Sequence, residues 1–136
     1  VTLADSGPLV ALLNRGDAHH RRCAAALQTL PPGGLLTTWA CATEAMYLLG
    51  RGGGWRAQEG LWEMFEDGVV RLHTPGEGEP QRMHMLMRDY SDTPMDFADA
   101  SLVAAAETLD QRRIFTVDRH FHVYRQRRGH ASEVVP

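Results

Sequence analysis

Two short apolar runs, Val1 to Ala4 and Ile114 to Val117, each stop at an aspartate, Asp5 and Asp118. Between them, short strand-like runs alternate with longer helical ones. This alternation is the strongest constraint on the fold, because strands joined through helices pair in parallel, and a parallel sheet needs helices over both faces. We therefore expect an α/β fold of three layers, a mostly parallel sheet of four to five strands flanked by helices, in one domain spanning residues 1–136. Ligands of such sheets bind in the crevice beyond the carboxyl ends of the strands. If the first and fourth strands are central neighbours, Asp5 and Asp118 share that crevice.

The remaining elements follow from local signals. Ser6 or Gly7 can cap a helix with Pro8 at its first position, running on through Leu9–Leu13. Ala18–Leu30 reads as a second helix, closed by Pro31-Pro32-Gly33-Gly34. Leu35–Thr37 reads as a strand, and Thr38 as the cap of a helix from Trp39 to Leu49. Gly50, Gly52, Gly53 and Gly54 then predict a flexible turn; they follow no strand and lack the Lys-Ser/Thr of a phosphate loop. Further helices are expected over Trp55–Glu66, Gln81–Tyr90 and Phe97–Leu109, and further strands over Val69–Leu72 and near Glu133–Val135.

Three more acids stand out. Glu44 has Ala40, Tyr47 and Leu48 as its i−4, i+3 and i+4 neighbours, which places it on an apolar helix face. A carboxylate buried there needs an Arg, a hydrogen-bond donor or a metal ion; the other reading is a Glu at the edge of the stripe, reaching solvent. Asp96 and Asp99 lie three apart at a helix start, followed by the small apolar run Ala100 to Ala106. Asp96 suits an N-cap as well as it suits a ligand, whereas a helix beginning near Phe97 leaves Asp99 without a capping role. Acids gathered in one crevice repel each other and call for a cation, and oxygen donors suit Mg²⁺ or Mn²⁺. Zinc is not expected, since His19-His20 and His120-Phe121-His122 read as solvated basic patches.

The net charge of −3 argues at first against a nucleic-acid partner. All 14 basic residues are arginine, however, and Arg119 to His130 is free of acids. Arginine's planar fork suits phosphate, so Arg119, Arg125, Arg127 and Arg128 are candidates for contact with a nucleic-acid backbone; solvated faces and a bias of composition are the other reading. No apolar run is long enough for a membrane span. Two cysteines, Cys23 and Cys41, without a secretion signal fit a reducing cytoplasm.

Four stretches together resemble the PIN-domain ribonucleases, and among them the VapC-type toxins of type II toxin–antitoxin pairs. They are Leu3-Ala4-Asp5-Ser6 through Leu13, Thr37-Thr38 through Glu44, Asp96-Phe97-Ala98-Asp99 through Ala104, and Ile114-Phe115-Thr116-Val117-Asp118 through Phe121. Singly each is weak; their order, their spacing and the chain length fit together over nearly the whole sequence. The resemblance implies Asp5, Glu44, Asp99 and Asp118 as catalytic, metal-binding residues, with Asp96 as a further candidate and with Ser6 and Thr116 supporting the acids. It also implies an Mg²⁺- or Mn²⁺-dependent endoribonuclease that inhibits translation, a homodimer, an RNA substrate, and an antitoxin whose tail blocks the site. Two other classes compete. A phosphatase using Asp5 as nucleophile would want an acid at position 7 and a Lys, but Gly7 stands there and the chain has no Lys. A non-catalytic RNA- or protein-binding domain would have no need of all four acids.

Overall fold

The computed structural model describes residues 1–127 and 129–136 in full and Arg128 without its side chain. Five strands form one sheet in the order β3-β2-β1-β4-β5: β1 Thr2–Ala4, β2 Leu35–Thr38, β3 Val70–His73, β4 Arg113–Phe115 and β5 Glu133–Val135. Every neighbouring pair is parallel. The chain builds outward from β1 to β3, then crosses back to place β4 on β1's other side. The strand order thus reverses between β1 and β4, and a crevice opens there at the carboxyl ends.

Side chains alternate across the sheet and divide the core in two. Leu3 and Ile114 face a cluster with Met83, Leu86 and the buried small residues of α5. Ala4 and Phe115 face Leu9, Ala45, Leu49 and Leu61. Helices α1 (Ser6–Leu13), α2 (His20–Thr29) and much of α3 (Trp39–Glu66) form the second layer, and α4 (Glu79–Asp89) and α5 (Phe97–Thr108) the first. The buried run Ala98 to Ala106 carries only one side chain larger than Val, Leu102, among its apolar members, so α5 lies close against the sheet.

Three local expectations need correction. The cap of α1 is Asp5, whose carboxylate accepts from Ser6 N, so Ser6 opens the helix and Pro8 is its third residue. The fourth strand stops at Phe115, because Thr116 and Val117 turn out of it toward the crevice. The glycines after Leu49 are not a turn: α3 continues through Gly50, Gly52 and Gly53 and breaks only at Gly54, where φ is 68° and ψ −157°. Gln58 then folds back, donating to Met46 O at 3.1 Å beside Gly50, where a Cβ would meet its amide at 2.6 Å.

Gly54 and Gly52 therefore respond oppositely to alanine. Neither has an atom within 4 Å of an added Cβ, so only the backbone decides. Gly54→Ala should cost about 1–3 kcal/mol for a conformation open essentially to glycine alone. Gly52→Ala, in helical backbone, should gain about 0.5–1 kcal/mol. Urea denaturation of both variants measures the difference; equal midpoints would show that the helix does not break at Gly54.

Candidate active site

The crevice is organised around one buried carboxylate. Asp5 N donates to Phe115 O at 2.9 Å, which locks the end of β1 to β4. Thr37 Oγ1 donates to Ala4 O at 2.7 Å and fixes the same corner from β2. Both carboxylate oxygens of Asp5 are then held, Oδ1 by Ser6 N and Oδ2 by Thr116 Oγ1, each at 2.8 Å.

From Asp5 the network reaches two of the other acids that the sequence singles out, Glu44 and Asp118. Ser6 Oγ donates to Glu44 Oε1 at 2.5 Å. Thr116 Oγ1 accepts from Asp118 N at 3.0 Å, and Asp118 Oδ1 accepts from His120 N at 2.9 Å and faces His120 Nδ1 at 3.1 Å. Ser6, through its amide and its hydroxyl, and Thr116, through its hydroxyl, thus bridge acidic positions. Across the crevice, Asp96 and Asp99 close a reciprocal cap on α5: Asp99 N donates to Asp96 Oδ1 at 2.8 Å and Asp96 N to Asp99 Oδ2 at 3.2 Å. Asp96 is a cap, as its place before the helix predicts; Asp99, for which no cap role was expected, shares it.

The burial expected for Glu44 takes a different form. Tyr47 is 61% exposed and Leu48 41% exposed, so the face they share with Glu44 is not the packed one. The packed face carries Cys41, Ala42, Ala45 and Leu49. Glu44 is half-buried at its edge, where it lines a shallow groove with Asp96, Tyr47 and Phe97. A hydrogen-bond donor, Ser6, is the partner that its burial required.

Electrostatics mark the crevice as unsatisfied. Burial is the main cause that pushes Asp5 up to about 6, and the charges of Glu44 and Asp118 add to it against the two hydrogen bonds. Burial likewise drives Asp99 up to about 7, with Asp96 and then Asp5 contributing repulsion. Asp99 therefore lies within electrostatic reach of Asp5. Among the described residues, no Arg or His pairs with Asp5, Glu44, Asp96 or Asp99, whereas Glu79, Glu107 and Glu133 all have such partners. The donors are carboxylate oxygens with excess like charge, which is the chemistry that a hard divalent cation fits. Among the described residues no three His, Cys, Asp or Glu side chains already stand as a ready-made cage.

Two contributors escape the sequence reading. Tyr124, fully buried, donates to Asp99 Oδ2 and reaches Pro94 O, both at 3.1 Å. It lies in the Arg- and His-rich tail, where only its spacing from Phe121 on the turn Arg119–His122 hints at packing; the two rings meet edge to face at 5.1 Å. Cys41 directs its thiol at Asp5 Oδ1 and Ala98 O, both 3.7 Å away. Burial and the charge of Asp5 push its ionisation upward, so it remains a neutral thiol.

The basic candidates separate. Arg119 is exposed and follows Asp118 directly. Arg125 commits Nη1 to the carbonyls of His122, Val123 and Tyr124, at 2.7 to 3.0 Å, and thereby braces the tail. Arg127 stands exposed, 4.0 Å from Glu107. The side chain of Arg128 lies outside the described residues.

No family model and no curated protein matches this sequence. Solved structures do match its fold. VapC20 of Mycobacterium tuberculosis, a sarcin–ricin loop cleaving toxin, superposes with a TM-score of 0.79 at 21% identity, over 87% of this chain and 90% of that one. A toxin–antitoxin complex from Klebsiella pneumoniae gives 0.64 at 17% identity, over 100% of this chain and 97% of that one. The chain has the PIN-like three-layer fold expected from its sequence. Among the described residues, no helix is long and apolar enough to cross a membrane.

The raised acids set a stability signature. An exposed aspartate titrates at 3.8, and Asp5 and Asp99 at about 6 and 7, so the native state binds more protons than the unfolded chain between those values. Stability therefore falls as pH rises through that window. In EDTA at pH 7.5, Asp5→Asn should raise the unfolding free energy by on the order of 1–3 kcal/mol, a gain that vanishes near pH 4. Urea titrations at both pH values measure it; a loss of stability at pH 7.5 would mean that the Ser6 and Thr116 bonds outweigh the buried charge.

Proposed function

We propose that this chain is a divalent-metal-dependent endoribonuclease, the toxin of a VapC-type toxin–antitoxin pair. The observation that carries the reading is the group of acids gathered around Asp5, which has no Arg or His partner and is linked through Ser6 to Glu44 and through Thr116 to Asp118, at the switch point of a PIN-like sheet. Likeness to a toxin that cleaves the sarcin–ricin loop supports an RNA substrate. Likeness to a chain of a toxin–antitoxin complex supports a protein that holds the activity in check. Inhibition of translation, a cytoplasmic setting and a homodimer complete the proposal on the resemblance of the motifs.

Asp5, Asp99 and Asp118 would hold Mg²⁺ or Mn²⁺, with Glu44 beside them and the uncommitted Oδ2 of Asp96 as a further donor. Such an ion supplies charge neutralisation at the phosphoryl group and acidifies water near neutral pH. The protein's own part is to present these oxygens without freedom to retreat. Ser6 N and Thr116 Oγ1 fix Asp5, and Tyr124 restrains Asp99 from behind. Glu44, at the groove edge, is placed to orient the attacking water and accept its proton. Arg119 is the described arginine best placed to hold a substrate phosphate, because it is exposed and adjoins Asp118.

Purified chain should cleave an RNA that contains a sarcin–ricin loop in the presence of Mg²⁺ or Mn²⁺. EDTA or Asp5→Asn should reduce the rate to background. The rate should climb between about pH 5 and 7, as protons stop competing with the cation for the acids. Cleavage by the Asp5→Asn variant at the wild-type rate would remove Asp5 from the machinery. Arg119→Ala should weaken RNA binding and lower the magnitude of the log–log salt slope by about 0.7, the contribution of one single-strand phosphate contact. An unchanged slope would place the phosphate grip elsewhere.

A further inference from the structure

Beside the acid groove, and sharing Ala40 and Phe97 with it, lies a separate pocket of about 390 Å³. Its rim carries two aromatic rings that the fold leaves bare, Trp39 at 59% exposed and Phe97 at 64% exposed. Met83 and Met87 supply apolar wall. Further in, His73 and Glu79 are both buried and bonded, Nε2 to Oε1 at 2.8 Å. His73 ends β3, and Glu79 opens α4.

The chemistry of this pocket narrows its occupant. No Arg lines it and Glu79 lies within it; of its two histidines, His73 is bonded to that Glu and His84 is exposed, so a phosphate group is disfavoured. A purely apolar occupant suits the methionines but not the histidine. With Nε2 bonded to Glu79, Nδ1 has no hydrogen-bond partner among the described residues and still touches solvent, since Thr2 Oγ1 alone among them is a sealed and unpaired side-chain polar atom. Covering it with hydrocarbon would cost about 1–3 kcal/mol. The group that meets both demands is flat, uncharged and apolar on its faces, with hydrogen-bonding atoms on its edge. A nucleobase has that character, and single-stranded RNA is read by stacking splayed bases on aromatic rings and bonding their edges. The volume falls in the range of small-ligand sites, roughly 300–1,000 Å³.

We propose that this pocket takes one nucleobase of the RNA that crosses the acid groove, stacked at Trp39 and Phe97 and read on its edge by His73. The inference rests on the ribonuclease reading. It makes the pocket the subsite that selects the nucleotide flanking the scissile phosphate, while the acids themselves act on a backbone that every sequence shares.

The test is binding in EDTA, so that it does not depend on cleavage. Short oligoribonucleotides carrying a single 2-aminopurine, moved through successive positions, are titrated into Asp5→Asn protein. One position should quench strongly on binding. Trp39→Ala, a change at an exposed site, should weaken that quench at least tenfold, whereas Trp55→Ala, on the far part of α3, should leave it unchanged. With wild-type acids, Trp39→Ala should still cut but lose its preference at that nucleotide. Quenching at no position, or quenching indifferent to Trp39, overturns the proposal. So does a Trp39→Ala variant that loses self-association or partner binding with RNA binding intact, which would make the pocket a protein contact. Protein that shows the Trp39-dependent quench but never cuts RNA would instead refute the ribonuclease reading alone.

Discussion

The hydrogen bond from Asp5 N to Phe115 O ties the end of β1 to the end of β4, and the rest of the site is arranged around it. It extends the parallel pairing of β1 with β4 to the point where the chain crosses over and an open parallel sheet leaves a crevice. The residue that makes this backbone bond also caps α1 with its carboxylate. One side chain therefore ends a strand, starts a helix and enters the crevice. Thr116, just beyond β4, turns its hydroxyl to the same carboxylate and takes a bond from Asp118 N in return. Position and chemistry are inseparable here: displacing Asp5 would disturb the sheet junction as well as the acids.

Much of this was legible because it is local. A short apolar run ending in Asp announces both the strand and the place of its carboxylate, and this held at Asp5. It held less tightly at Asp118, where β4 stops three residues earlier and two residues carry the chain into the crevice. An Asp before a small-residue helix announces a cap, and Asp96 is one. What failed depended on contacts distant in sequence. The neighbours of Glu44 are apolar, yet Tyr47 and Leu48 face out, because the packed face of α3 is set by α1 and α5 rather than by the helix's own periodicity. Gly50, Gly52, Gly53 and Gly54 together read as a breaker, but the returning Gln58 needs the space left by a missing Cβ at Gly50, and of these four Gly54 alone adopts a backbone closed to other residues.

Tyr124 shows the limit most clearly. Its hydroxyl meets Asp99 from 25 residues away in sequence, out of a tail whose composition speaks only of charge. The same tail offers Arg119, Arg125, Arg127 and Arg128 as candidate phosphate contacts. Yet Arg125 turns inward to three carbonyls of its own segment, and Arg127 stands near Glu107. Composition identifies residues capable of gripping a phosphate; only the path of the chain shows which of them are occupied in holding the chain itself.

The raised acids and the lack of basic partners are two faces of one compromise. An arginine beside Asp5 or Asp99 would lower their pKa values and stabilise the fold, and this chain has arginines in plenty. None of those described is placed there; the charge is left for something that binds. The hydroxyls and backbone amides that surround Asp5 fix its direction without cancelling its charge, so the cost of burial is offset only in part. Stability withheld at a site in this way is expected wherever a protein must hold charged groups ready for a ligand. Here the withheld stability lies in Asp5 and Asp99, while the capping box, the paired Glu79 and Glu107 and the alanine face of α5 keep the surrounding scaffold firm enough to carry it.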